Sequence, residues 1–311
     1  MVVDYQKTAL LCPGQASQKV GMCYDIYNNN SFAKEHIDLA NDILGYDIKN
    51  IMFSGPKELL SETIYTQPAI FITSYIIGKI LIQNGLKPKC IAGHSVGEIS
   101  AYAIAKSLNF EDGLKLVQYR AKVMHDTGLD KPGTMAAVIG IEEKKLEDLC
   151  SSYSKGIVCI ANYNSPSQTV ISGERAAIED ISPKILETGA LKVIKLNVSG
   201  AFHSPLMETA KEKLGNFISN VEISNPIFPV YSNVTSKPIN DKNYIPNSLV
   251  DQLISPVLWY KSVQRMILDG ITSGIEIGPG KVLQGLSKRI DSSLNMYGVE
   301  THQEILNLKH V

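Results

Sequence analysis

Cys90-Ile91-Ala92-Gly93-His94-Ser95-Val96-Gly97-Glu98-Ile99-Ser100 decides how this chain is read. A short apolar run enters Gly-x-Ser-x-Gly, and a stretch with small residues at Ser100, Ala101, Ala103 and Ala105 follows. This is the form of a nucleophile elbow: a serine on a sharp strand-to-helix turn needs glycines beside it, because side chains there would keep the helix off the strand. Such a turn lifts the Ser95 hydroxyl clear of a sheet. It also aims the unpaired N–H groups of a helix N-terminus at whatever bonds to that oxygen. Without that chemistry, the stretch is a tight strand–helix turn that carries a serine.

Outward from the elbow, strand-like runs alternate with amphipathic ones. Residues 8–12 form a first strand closed by Pro13-Gly14, residues 32–44 and 48–52 are helical, and 67–84 make a long helix. Residues 89–92 feed the elbow, and 111–127 are helical with apolar residues at 114, 116, 117, 121, 123 and 124. Strands separated by helices imply a parallel, helix-covered sheet, so the fold class is α/β. The rhythm then changes to strand 134–140, helix 142–153, strands 156–162 and 167–172 across a turn at Asn164-Ser165-Pro166, helix 176–188 and strand 191–198. That βαββαβ order is the ferredoxin-like arrangement. We therefore expect a small domain, 133–198, inserted into a large domain made of 1–132 and 199–311. Helix 204–220, strand 230–232, helix 257–269, strand 274–277, the turn Gly278-Pro279-Gly280 and helix 282–290 complete the large domain.

Composition narrows the function. A chain of 311 residues can bury a sizeable core, and a net charge of −1 leaves no footprint for nucleic acid or an anionic membrane. The most apolar segment, 69–82, is too short to span a bilayer and contains Thr73, Ser74, Tyr75 and Lys79, so it is a buried helix. Cys12, Cys23, Cys90, Cys150 and Cys159 are odd in number and lack metal-ligand spacing. With no secretory leader pattern at the start, they read as reduced thiols of a cytoplasmic protein.

A serine nucleophile needs a base within reach, on a loop beside the elbow. His94 adjoins Ser95, and its side chain should diverge from it. His36 and His125 fall on surface-like helices, and His302 and His310 in a polar tail. His203, in Ser199-Gly200-Ala201-Phe202-His203-Ser204-Pro205, lies between a strand end and a helix, where α/β active sites gather. From position alone it is either that base or a histidine of a helix-capping loop.

Six ordered segments then make a resemblance. Gly93-His94-Ser95-Val96-Gly97-Glu98 resembles the nucleophile motif of the malonyl-CoA:acyl-carrier-protein transacylases, which include the acyltransferases of fatty-acid and polyketide synthesis. Pro13-Gly14-Gln15-Ala16-Ser17-Gln18 is similar to that family's Pro-Gly-Gln-Gly-Ser-Gln, and Thr66-Gln67-Pro68-Ala69 to its Thr-Gln-Pro-Ala. Residues 120–124 resemble its Arg-Gly-x-x-Met, Gly200-Ala201-Phe202-His203-Ser204 its histidine motif, and Gly278-Pro279-Gly280 its late glycine loop. The implied fold is an α/β-hydrolase-like core with a ferredoxin-like insertion, in agreement with the element order.

The resemblance implies roles. Ser95 attacks a thioester carbonyl and His203 takes its proton, giving an acyl-serine as coenzyme A leaves. The backbone N–H groups of Gln15 and Val96 form the oxyanion hole. A backbone carbonyl in Asp251-Gln252-Leu253-Ile254-Ser255-Pro256, placed at Gln252, positions the histidine. Arg120 holds the free carboxylate of a malonyl group in a two-pronged contact that lysine could not reproduce. Gln67, His94, Met124, Asn162 and Phe202 line or support the pocket. The bulky ring of Phe202 fills the space an α-methyl would need and so goes with malonyl selection. Malonyl-CoA and the phosphopantetheine arm of an acyl carrier protein are the expected partners, with no metal and no cofactor beyond the thioester substrate.

One departure from the family pattern matters. Ala16 stands where glycine is usual, and if that position needs a positive φ, alanine costs about 1 kcal/mol or shifts the loop. Asn162-Tyr163-Asn164-Ser165-Pro166-Ser167-Gln168 with Ile171-Ser172-Gly173 is most similar to the free-standing acyltransferases that serve polyketide synthases in trans. Two other classes stay open at this point. One is an acyl hydrolase, either an ordinary esterase or an enzyme editing carrier proteins. An esterase needs an acid between serine and histidine in chain order and a histidine near the C-terminus. An editing role would leave a buried guanidinium unpaired beside a neutral acyl chain. The other class is a catalytically silent docking module, which the intact Ser95, His203 and Arg120 argue against.

Overall fold

The computed structural model describes residues 2–310. Its main sheet runs, edge to edge, through Asn295–Val299, Ser273–Ile277, Thr8–Cys12, Cys90–Gly93, Val230–Tyr231 and Pro238–Ile239. The first five strands are parallel, and the short last one turns back antiparallel. The three central strands are buried along their whole length, as parallel strands covered on both faces must be. Alternation along each strand feeds two separate cores. Leu10, Cys12 and Ile91 pack with Ile70, Ile76, Ile104 and Val117 from the helices Thr63–Gln83, Val96–Ile104 and Phe110–Asp130. Ala9, Leu11, Cys90 and Ala92 face the other way, against Trp259, Val263, Leu283 and Leu286 of the helices Trp259–Leu268 and Val282–Ile290.

The long buried helix starts at Thr63, a turn before the expected Gln67, and carries Pro68 inside it. Proline has no N–H to give the carbonyl of Ile64. Tyr46 Oη donates to that carbonyl at 3.3 Å, which lets the helix run through.

A second, wholly antiparallel sheet has the strand order Val158–Ser165, Gln168–Glu174, Gly133–Ile139, Lys192–Lys195. The helices Glu143–Ser152 and Arg175–Glu187 cover one face, where Ala136, Val138 and Ile171 meet Leu146, Ile178, Ile181 and Ile185. This is the βαββαβ arrangement expected from the element order. The hairpin turn falls at Pro166-Ser167, slightly later than expected, because pairing runs on to Ser165 and Gln168. The uncovered face presents Met135, Ala137 and Val170 to the main body. The second sheet is tied to the segment before the Trp259–Leu268 helix, where Tyr163 N donates to Val257 O at 2.9 Å and Val257 N to Ala161 O at 2.8 Å. Among the described residues no helix is long and apolar enough to cross a membrane, and the five cysteines are free.

Candidate active site

Ser95 leaves the Cys90–Gly93 strand and caps the Val96–Ile104 helix with φ 53° and ψ −113°, a conformation non-glycine residues rarely hold. The neighbouring glycines make this turn possible. A Cβ on Gly93 would lie 2.0 Å from the Gly97 carbonyl, and one on Gly97 would lie 2.3 Å from Cys12 O. The strained turn is pinned from outside. Asn233 Oδ1 accepts from Ser95 N at 2.8 Å, and Asn233 Nδ2 donates to Gly93 O at 2.6 Å.

Ser95 Oγ lies 2.9 Å from His203 Nε2. His203 Nδ1 lies 2.8 Å from the backbone carbonyl of Gln252. A carbonyl can only accept, so the ring proton sits on Nδ1 and the Nε2 lone pair faces the serine hydroxyl. Burial, reinforced by the Arg120 charge, pushes the imidazole down to about 3, so it is neutral and basic in form at ordinary pH. His94 diverges from Ser95 as expected: its Nε2 meets Asn164 Oδ1 at 2.9 Å.

Arg120 is 1% exposed, projecting from the Phe110–Asp130 helix into the same site. Nη1 donates to Gln67 Oε1 at 2.7 Å, while Nη2 donates to Gln252 Oε1 at 2.8 Å and to Ser95 Oγ at 3.1 Å. Gln67 Nε2 in turn approaches Met124 Sδ at 3.6 Å. Burial lowers the guanidinium to about 10, which leaves it charged at neutral pH.

Two residues of this site escaped the reading of the sequence. Glu98, fully buried, accepts from Gln252 Nε2 at 2.6 Å, from Asn233 N at 3.1 Å and from Ser248 Oγ at 3.3 Å. Burial pushes its carboxyl up to about 7 against the pull of these donors and of Arg120. Asn233, which ties Glu98 to the serine turn, is the other. Glu98 lies inside the elbow motif, where it reads as an acid favourable to a helix N-terminus. Asn233 carries no local signal.

Above these groups is a cavity of about 530 Å³. Gln15, Gln67, His94, Ser95, Val96, Arg120, Met124, Asn162, Phe202 and His203 all line it. Gln252 stands behind the wall and reaches the site through its hydrogen bonds. The second sheet closes one side with Met135, Ala137 and Val170, and Val282, Leu283 and Leu286 close another. Val96 opens its helix, so its N–H has no intrahelical acceptor. Gln15 sits in the facing loop, where the next residue, Ala16, has φ 85°, the positive value that the family's glycine would adopt freely. Gly278 packs against Pro13 of that loop, so the late glycine turn does adjoin the site. Of the remaining histidines, His36 departs from expectation: its half-buried ring packs among Phe32, Tyr75 and Phe110. The side chain of His310 lies outside the described residues.

Known proteins carry the same fold over nearly their full lengths. A malonyl CoA-acyl carrier protein transacylase of Staphylococcus aureus is 39% identical over 301 residues, 96% of this chain and 97% of that one. A malonyl-transacylase solved in complex with a type II polyketide-synthase acyl-carrier protein superposes with a TM-score of 0.93 at 34% identity, covering 96% of this chain and 98% of that one. An acyl carrier protein S-malonyltransferase of Vibrio cholerae gives 0.92 at 36%, with the same coverages of 96% and 98%. The family described as "Acyl transferase domain" matches residues 9–301, from the Thr8–Cys12 strand past the last strand of the main sheet, and with this match the elbow serine, its histidine and the buried arginine take their place: the chain belongs to the acyl transferase domain family.

Proposed function

We propose that this protein moves a malonyl group from malonyl-CoA to the phosphopantetheine thiol of an acyl carrier protein, in fatty-acid or polyketide biosynthesis. The observation that carries this reading is the 3.1 Å approach of Arg120 Nη2 to Ser95 Oγ. It puts a buried cation where the far end of a three-carbon diacid esterified to that oxygen would arrive. Similarity to transacylases named for malonyl and acyl carrier protein supports the same substrates.

Ser95 Oγ attacks the thioester carbonyl while its proton passes to His203 Nε2, and the N–H groups of Gln15 and Val96 hold the oxyanion. Collapse breaks the C–S bond, and the coenzyme A sulfur takes the proton from His203. The carrier thiol then repeats the sequence in reverse and receives the malonyl group. Gln252 orients His203 through its backbone carbonyl, Arg120 pairs with the malonyl carboxylate, and Gln67, His94, Met124, Asn162 and Phe202 shape the pocket. Residues 133–198 act as the small domain over a large domain of 1–132 and 199–311. The reaction uses coenzyme A thioester as substrate without a further cofactor, in the cytoplasm.

Malonyl-CoA labelled in the malonyl group tests this directly. Without any carrier protein, mass spectrometry should find one added malonyl on the peptide spanning residues 93–98, and added holo-carrier protein should remove it into a carrier thioester. Label on a cysteine, or release only as free malonate, would refute the transfer scheme and favour a hydrolase.

A further inference from the structure

One buried carboxyl group, Glu98, touches both Gln252 and Asn233, which hold the histidine, the arginine and the serine turn. Gln252 holds two of these. Its backbone carbonyl holds His203 at 2.8 Å and its side-chain oxygen accepts from Arg120 Nη2 at 2.8 Å. The second contact depends on which way round the amide faces. Reversed, an NH₂ group would confront a guanidinium NH₂, two donors with no acceptor between them. The amide is held by what its nitrogen meets: Glu98 Oε2 at 2.6 Å, Ser95 O at 3.1 Å and Asn233 Oδ1 at 3.3 Å. The contact to Glu98 is the shortest and the only one to a carboxyl group. Glu98 also accepts from Asn233 N, whose side chain pins both sides of the serine turn.

We propose that Glu98 is a positioning residue of the malonyl site: its carboxyl oxygen fixes the facing of the Gln252 side-chain amide, and that amide holds the Arg120 guanidinium toward Ser95. This rests on the malonyl reading above. Glu98 acts here as an acceptor, and its charge is not required. A glutamine at this position can place its oxygen where Oε2 now lies, keep both Asn233 N and Gln252 Nε2 bonded, and turn its NH₂ toward the Ser248 hydroxyl. Leucine offers no acceptor, so the Gln252 amide keeps only its longer contacts to Ser95 O and Asn233 Oδ1, and its hold on Arg120 Nη2 loosens while Gln67 still holds Nη1. Ser95 and His203 serve any thioester, whereas Arg120 distinguishes one that ends in a carboxylate. Loss of Glu98 as acceptor therefore shows as lost selectivity and not as a uniform fall.

The test measures kcat/KM for malonyl-CoA and acetyl-CoA with one carrier protein, in the full-length wild type, Glu98→Gln, Glu98→Leu, Gln252→Met and the Glu98→Leu/Gln252→Met double variant. A wild type without malonyl preference would undo the functional reading itself, separately from Glu98. Given that preference, Glu98→Gln should keep the malonyl-to-acetyl ratio within about threefold. Glu98→Leu and Gln252→Met should each lower it roughly 10- to 100-fold, the worth of a hydrogen bond to a charged group. The double variant should fall no further than either single one, because both act through the same amide. Equal loss of both substrates in Glu98→Leu, a ratio loss in Glu98→Gln as large as in Glu98→Leu, or multiplying losses in the double variant would overturn the proposal. Should Glu98→Leu not fold, Gln252→Met decides alone: an unchanged ratio there shows that the amide does not hold Arg120.

Discussion

His203 gives its Nδ1 proton to the backbone carbonyl of Gln252 at 2.8 Å, in the place where many serine enzymes have a carboxylate. A carbonyl orients the ring and fixes its tautomer, but it stabilises an imidazolium less than a carboxylate would. The buried ring, with the Arg120 charge close by, accordingly has its basicity depressed. In the proposed mechanism the serine proton is thus borrowed briefly rather than stored, which suits a reversible transfer between two thiols of similar basicity.

The pH dependence follows with its sign. Protonation inactivates the base, and the proton binds His203 only near pH 3 in the folded enzyme, against about 6.5 for a free imidazole. Activity should therefore not fall through an ionisation near 6.5. We expect kcat/KM for malonyl-CoA to stay within about threefold between pH 8 and pH 5, measured at constant ionic strength. A single-proton acid limb at pH 6–7 that persists in Glu98→Gln would show the imidazole far less desolvated than it is here. His203→Ala should slow acylation by at least about 100-fold while the folded signal in circular dichroism stays intact.

The two elbow glycines are set by space, since neither holds a positive φ. A methyl on Gly93 meets the Gly97 carbonyl at 2.0 Å, and one on Gly97 meets Cys12 O at 2.3 Å, all backbone that cannot swing aside. Gly93→Ala should force the Val96–Ile104 helix off the serine turn, and Gly97→Ala should force that helix away from the Thr8–Cys12 strand. The expected outcome is malonyl labelling of Ser95 reduced more than about 100-fold, with loss of several degrees in Tm. Near-normal labelling in either variant would mean that the elbow can relax at small cost.

At Ala16 the same logic runs in the stabilising direction. The residue holds φ 85° with its side chain exposed, so glycine removes a steric cost and little packing is lost. The gain is offset in part by the greater entropy of glycine in the unfolded chain. Ala16→Gly should raise unfolding stability by up to about 1 kcal/mol in urea titration, without lowering transfer activity. A destabilised variant would show that the alanine methyl is packed after all.

Much of this was legible in the sequence because it is local. Gly93, Ser95 and Gly97 declare the elbow by spacing, and the βαββαβ rhythm declares the second sheet. Ala16 announced its strain by standing at a glycine's place in a resemblance. What stayed hidden depends on contacts between distant segments. The Asn295–Val299 strand, with Gly298 inside it, has no alternation of its own and forms because Ser273–Ile277 offers it a parallel edge. Helix entry at Thr63 depends on Tyr46 Oη donating to the Ile64 carbonyl that Pro68 cannot serve. Glu98 looks like a solvated acid at a helix start until Asn233, Ser248 and Gln252 arrive around it from more than a hundred residues away.

In the proposed mechanism Arg120 joins the nucleophile to the choice of substrate. In the free enzyme its Nη2 donates to Ser95 Oγ at 3.1 Å and to Gln252 Oε1, and its Nη1 to Gln67 Oε1. A malonyl carboxylate brings an acceptor of opposite charge to this buried cation, and a bond between two charged groups is stronger than the bond to a neutral oxygen that it replaces. An acetyl group brings nothing, leaving the guanidinium desolvated with neutral partners only. A site built for a charged group can reject its neutral analogue by factors of about 10⁴. Arg120→Ala removes both halves of that discrimination. Malonyl transfer loses its anchor, while acetyl transfer loses only a hydrogen bond that draws on the serine oxygen it needs. We therefore expect kcat/KM for malonyl-CoA to fall at least about 100-fold and that for acetyl-CoA to hold or rise, both read by transfer to the same carrier protein. Should the two fall by one common factor in a variant shown to be folded, Arg120 is a structural residue, and the carboxylate contact on which the malonyl reading stands is gone.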